Sequence, residues 1–151
     1  MKMKVIAMLA AFALTASAVQ AQELPCKVQN VEVLDLDGKP VKLPYFGEKN
    51  LMIFYVDPDR HKQNEDFTIE LEQNHRAESD NIHGFGVMNL KDAPMVPNGM
   101  ARNMAKKRTA KNGATVLADQ NRILSTAWAL GDCNNQFVLM IVSKEGELVF
   151  L

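Results

Sequence analysis

Cysteine is nearly absent from this chain. The two that occur, Cys26 and Cys133, stand 107 positions apart, so there is no C-x-x-C pair to cycle between dithiol and disulfide. No uncharged apolar run reaches the about 20 residues that a spanning helix needs, since Val5 to Ala16 is roughly a dozen long, and a membrane anchor is not expected. Charge of one sign is also missing. With 17 Lys+Arg against 18 Asp+Glu and only 7% aromatic residues, nothing suggests nucleic acid as a partner. There is no glycine loop of the phosphate-cradling kind, no repeat and no low-complexity segment. Ser125 and Thr126 have no histidine or carboxylate near them in sequence from which a hydrolytic triad could be built. No cofactor is expected.

What is present begins with an export signal. Lys2 and Lys4 form a positive n-region, Val5 to Ala16 the apolar segment, and Val19-Gln20-Ala21 a cleavage site, which predicts a signal peptide over 1–21, an N-terminal arm over 22–29 and one domain over 30–151. The exported chain is mildly acidic and belongs in an oxidising compartment such as the periplasm, where disulfides persist. A Cys26–Cys133 bridge would close a loop worth roughly 4 to 5 kcal/mol in the chain-entropy model. A structural disulfide is the expectation, with two separate thiols or a working redox pair as alternatives.

The mature chain reads as mixed α and β. Val31 to Leu36 and Val41 to Leu43 flank the turn-forming Asp37-Gly38-Lys39-Pro40 and predict a hairpin. Leu51 to Val56 is six apolar residues without alternation, which predicts a central strand buried on both faces. A helix is expected from near Gln63 to Ser79, with Phe67 and Leu71 on one side, and a second strand over Phe85 to Leu90. Asn98 is placed to cap a second helix and Gly113 to end it. A strand over Thr115 to Ala118, a helix over Ile123 to Leu130 and a closing hairpin of Phe137 to Val142 with Leu148 to Leu151 complete the series. Met52, Met88, Met100, Met104 and Met140 fall at expected core positions.

This element order, together with the apolar strand Leu51 to Val56 running into a loop and helix, resembles the thioredoxin-like superfamily. The segment from Val116 through Asp119-Gln120-Asn121 to Trp128 is similar to its exported YtfJ-like branch, which also lacks the usual cysteines. The resemblance implies an α/β fold with a central mixed sheet flanked by helices, extended by the N-terminal hairpin. It also implies a terminal helix, which does not follow Leu151 here. The sheet face this would expose is left to a helix outside the given sequence, to the N-terminal segment or to another subunit, and self-association is the expectation.

By the same resemblance the catalytic cysteines would fall near Asp59 and Lys62, within Val56-Asp57-Pro58-Asp59-Arg60-His61-Lys62. A disulfide exchanger needs a thiolate there, and this loop has no sulfur. Its polar groups, Asp57, Asp59, Arg60, His61 and Lys62, form the candidate ligand-binding loop. Asp59 is expected to cap the following helix, and Arg60 or Lys62 to meet an anion. A metal site on Asp57, Asp59 and His61 is a weaker reading, because His75 and His83 supply no matching spacing. Arg102, Lys106, Lys107, Arg108 and Lys111 make the second helix basic, which a solvated face explains. The expectation is a redox-inactive binding or interaction module whose partners are a protein, a small anionic ligand or a second copy of the chain. An atypical oxidoreductase using Cys26 and Cys133 is the alternative.

Overall fold

The computed structural model describes residues 22–151, and the expected signal peptide over 1–21 lies outside the described residues. The hairpin forms as β2 (Glu32–Leu34) and β3 (Pro40–Lys42), with Val33 opposite Val41. Its turn closes because the Asp35 carboxylate accepts from the amides of Asp37 and Lys39 while Gly38 takes φ 82°, a value glycine adopts without steric cost. The apolar run becomes β4 (Asn50–Val56), followed by a 3-10 turn over Pro58–Arg60 and α1 (Glu65–Gln73). Then come β5 (Ile82–Asn89), α2 (Asn98–Asn112), β6 (Val116–Asp119), the short α3 (Ile123–Ala127), β7 (Phe137–Val142) and β8 (Glu147–Phe150). Cys26–Lys27 adds β1 at the outer edge of β8.

All eight strands share one sheet in the order β1-β8-β7-β4-β5-β6-β2-β3. β4, β5 and β6 run parallel and every other pairing is antiparallel. Parallel neighbours need crossovers, which α1 and α2 supply. The C-terminal ends of β4, β5 and β6 therefore lie along one rim of the sheet, the tip, where ligands of open α/β sheets commonly sit.

The two faces of the sheet are covered unequally. Leu51, Ile53 and Tyr55 of β4 are buried together with Phe85, Val87, Leu117, Met140, Val142 and Leu148. The lid over this face is the N-terminal segment, through Val31, Val33 and Leu43, with Leu124 and Trp128 around α3. On the opposite face Met52, Phe54 and Val56 are only half-buried, which corrects the expectation of a strand buried on both sides. The reason is the poor cover there. α1 buries none of its residues and α2 buries only Ala101.

Several local expectations are also corrected. α1 begins at Glu65, after the left-handed Asn64 (φ 56°), and ends at Gln73, short of Ser79, where the chain turns through the left-handed His75 (φ 51°). Pro97, not Asn98, is the N-cap of α2, and no side chain caps it; Gly113 does end the helix, at φ 69°. Met100 and Met104 are more than half exposed, since this stretch of α2 faces the thinly covered side, whereas Met88 and Met140 are buried as expected.

Candidate functional site

The sequence-predicted loop lies at the tip, but its residues do different things. Asp57 is buried and directed inward. Its Oδ1 accepts from the Asp59 amide at 2.9 Å, capping the 3-10 turn, and its Oδ2 accepts from the Asn135 amide at 2.8 Å. Asp57 is thus consumed in tying the loop before β7 to the loop after β4, and it is Asp57 that caps, not Asp59. Asn135 is the residue that the sequence reading missed. It sits at φ 55°, a left-handed conformation that asparagine tolerates better than most residues, and its Oδ1 accepts from Arg60 Nε at 3.0 Å. The only sequence signal was the Asn134-Asn135 pair just before a strand. Asp59, Arg60, His61, Lys62, Gln63 and Asn135 together rim an open depression. Among the described residues no cluster of His, Cys, Asp or Glu could hold a metal ion, so the metal reading of Asp57, Asp59 and His61 finds no geometric support.

The first residue of α1 lies six positions after Asp59. A thiolate is stabilised at a helix N-terminus because the unpaired amides and the helix dipole favour negative charge, an effect that fades beyond the first turn. Position 59 lies in the 3-10 turn that precedes α1 and not in the first turn of that helix. The loop from Val56 to Lys62 holds no sulfur, and α1 starts only at Glu65.

Beneath the tip the buried polar groups are structural. Asp119 is fully buried and accepts from the amides of Asn121, Ile123 and Leu124 and from the Tyr55 hydroxyl, anchoring α3 to β4. Asp92 is held below the usual carboxylate range by its hydrogen bonds with Arg122, with a further bond from Asn89.

The expected Cys26–Cys133 disulfide is not formed; both thiols are free. Strand register gives the reason. Cys26 pairs with Leu148, which lies in line with Val142 and Leu51. Cys133 sits beside Tyr55, Asp92 and Asp119, at the other end of β4. Tyr55 is four residues further along and three strands across from Cys26, about 13 Å by about 14 Å at ordinary strand spacings. A disulfide tolerates roughly 7 Å between Cα atoms. Burial pushes the Cys133 thiol up to about 11, and the carboxylates of Asp92, Asp132 and Asp119 add to the shift. A thiol so protonated is a poor nucleophile at neutral pH. Two free thiols per chain are therefore expected in denaturant without prior reduction. In the native state Cys133 should alkylate slowly, with a rate that climbs as the pH approaches 11. Absence of free thiol, or fast Cys133 alkylation at pH 7, would contradict this structure.

A second feature lies behind the tip, on the thinly covered face. A groove of about 550 Å³ runs between α1 and α2 with the sheet as its floor. The floor is built from Phe54, Val56, Gly86, Met88, Val116 and Phe137. Gly86 contributes by omission, because a Cβ there would meet only Val116 Cγ2 at 3.6 Å and the Phe54 carbonyl at 3.9 Å. Leu71 and Thr68 line the groove from α1, Ala101 and Met104 from α2, and Phe67 meets Phe137 edge-on with 6.4 Å between ring centroids. Arg60 and His61 reach both the groove and the outer depression, and Arg108 lies further along α2. Lys62 and Asp59 stay outside the groove. Of the basic residues on α2, Arg102 donates to Gln120 and Lys106 pairs with Asp37.

This arrangement of mixed sheet, two crossover helices and tip loop can be matched to known structures. The fold is thioredoxin-like. The pneumococcal exposed lipoprotein thioredoxin from Streptococcus pneumoniae superposes with a TM-score of 0.60 at 18% identity, over 81% of this chain and 87% of that one. A DsbF homologue from Corynebacterium diphtheriae gives a TM-score of 0.62 at 12% identity, covering 83% and 76% respectively. An uncharacterized conserved protein from Geobacillus kaustophilus gives 0.63 at 16%, covering 87% and 69%. No family model matches the sequence, and no curated protein matches it either. At these identities the likeness establishes the thioredoxin-like fold. No helix among the described residues is long and apolar enough to cross a membrane.

Proposed function

We propose that this is an exported, redox-inactive thioredoxin-like domain of the YtfJ-like kind, acting in the periplasm as a binding module through the groove behind its tip. The observation that carries the reading is the change at the tip, where Asp59 and Lys62 occupy the positions expected for a dithiol, the helix start is displaced to Glu65, and an apolar groove opens directly behind. Pockets that hold small molecules are mostly apolar with a few convergent polar groups, which describes this groove and its Arg60–Asn135 mouth. A switch based on Cys26 and Cys133 is disfavoured by their separation and by the protonated state of Cys133.

The test pairs a redox assay with a binding assay. The protein should not accelerate insulin reduction by a thiol donor. It should bind the neutral apolar dye Nile red in the groove, and Gly86→Leu, which fills the floor without changing any charge, should weaken that binding at least tenfold. Turnover of insulin, or dye binding indifferent to Gly86→Leu, would defeat the reading.

A further inference from the structure

Resting on the groove as the binding site, we infer that its occupant is a single aliphatic chain with a carboxylate head, a free long-chain fatty carboxylate, with the head at Arg60 and the tail running down the floor toward Gly84. Three features select this class.

The first is the backbone of the floor. β4, β5 and β7 are each paired on both sides, so their amides and carbonyls are consumed in the ladder. A peptide lying in the groove could not add a strand, and each of its own buried amides would lack a partner, at a cost of about 1 to 3 kcal/mol per group. An alkyl chain has no such groups to satisfy.

The second is charge. The lining carries Arg60, His61 and Arg108 against one acid, Glu72. Neither Arg60 nor Arg108 forms a salt bridge among the described residues. Arg60 is oriented through its Nε by Asn135, and the described hydrogen bonds place no partner on its two terminal nitrogens, the pair that grips a carboxylate in fork geometry. Arg60 stands at the tip, where the groove meets solvent. Arg108 lies further along α2, toward the far end.

The third is shape. From Met88 to Gly84 the floor is four residues long, about 13 Å at strand spacing, and the α2 wall from Ala101 to Asn112 is about 16 Å at helix spacing. The groove runs along the strands, with Arg60 and His61 at its tip end.

The experiment is displacement of Nile red from the full mature protein. Dodecanoate should compete at least tenfold better than dodecan-1-ol or dodecyltrimethylammonium, and shortening the chain to octanoate should weaken it about fourfold per methylene. Arg60→Gln, at an exposed position, should remove the advantage of the carboxylate over the alcohol, read as the ratio of the two competitors' displacement constants within that variant. Arg108→Gln should retain most of that advantage. Equal competition by the alcohol or the cation, an advantage that survives Arg60→Gln, or one abolished by Arg108→Gln alone would each overturn the assignment of the head group. The groove reading stands or falls separately, on Nile red and Gly86→Leu. Vesicles of phosphatidylglycerol free of fatty acid separate the two sources of such chains. No co-sedimentation is expected, and co-sedimentation abolished by Arg60→Gln would overturn the free carboxylate in favour of a lipid surface.

Discussion

Asp119→Ala is expected to lower the stability of the folded domain by about 3 to 5 kcal/mol, seen in urea as a midpoint shifted down by roughly 2 M with little change in slope. The carboxylate is completely buried and satisfies four donors, the Tyr55 hydroxyl at 3.1 Å and the amides of Asn121, Ile123 and Leu124 at 3.2, 2.8 and 2.9 Å. Alanine leaves all four without their acceptor, and two of them, the Tyr55 hydroxyl and the Leu124 amide, are buried. Orphaned buried donors cost more than the net value of the bonds they made. Asp119→Asn should fall between, because an amide oxygen still accepts while its nitrogen meets donors. The first residue of α3 follows Arg122 at φ 55°, a conformation an arginine holds only under constraint, and Asp119 is that constraint. A loss below 1 kcal/mol for the alanine variant would show that α3 is held by other means.

The second large effect is expected at the other end of α3. Trp128→Ala should cost about 3 to 5 kcal/mol, the usual range for removing a large buried aromatic. Trp128 is almost completely buried, lies 6.4 Å from Phe46 between ring centroids, and donates from Nε1 to the Gln29 carbonyl at 2.8 Å. It therefore fastens the N-terminal segment, which supplies Val31, Val33 and Leu43 to the lid over the well-packed face. Trp128→Phe keeps most of the apolar area and loses the hydrogen bond, so about 1 to 2 kcal/mol is expected. Limited proteolysis distinguishes this role from general loosening. In Trp128→Ala the stretch from Gln22 to Leu34 should become the first cleavage site, and first cleavage in α1 would argue that the N-terminal lid is fastened elsewhere.

The groove and this lid share a cause. The chain covers one face with the N-terminal segment and α3, both anchored through Trp128 and Asp119, and leaves the other face to α1 and α2, which bury a single residue between them. The well-packed side carries the stability. The thinly packed side, whose disturbance costs less, is free to change with a ligand.

How much of this could be seen in the sequence depends on how local the governing interactions are. The hairpin around Gly38, the termination of α2 at Gly113 and the limits of β7 at Phe137–Val142 were legible, because turn chemistry and apolar runs act over a few residues. The apolar run of β4 was legible as a strand, but its burial on both faces was inferred from composition alone. Apolar composition permits double burial, and whether a face is covered depends on what packs there. Met100 and Met104 failed as core residues for the same reason. The candidate loop was found by analogy, and it follows the C-terminal end of β4. Its division of labour was hidden, since the partner that turns Asp57 inward and orients Arg60 is Asn135, more than seventy residues away.

The sequence by itself determined the order of strands and helices, the thioredoxin-like arrangement they build, and the absence of sulfur from the loop after β4, because these follow from periodicity, turn residues and residue identity. Only the tertiary structure decided that Cys26 and Cys133 are too far apart to bond, that Asp57 is a clasp and Arg60 a presented cation, and that a groove lies open behind the tip. Those outcomes depend on strand register and on which face each helix covers, and both are settled by contacts between residues far apart in the chain.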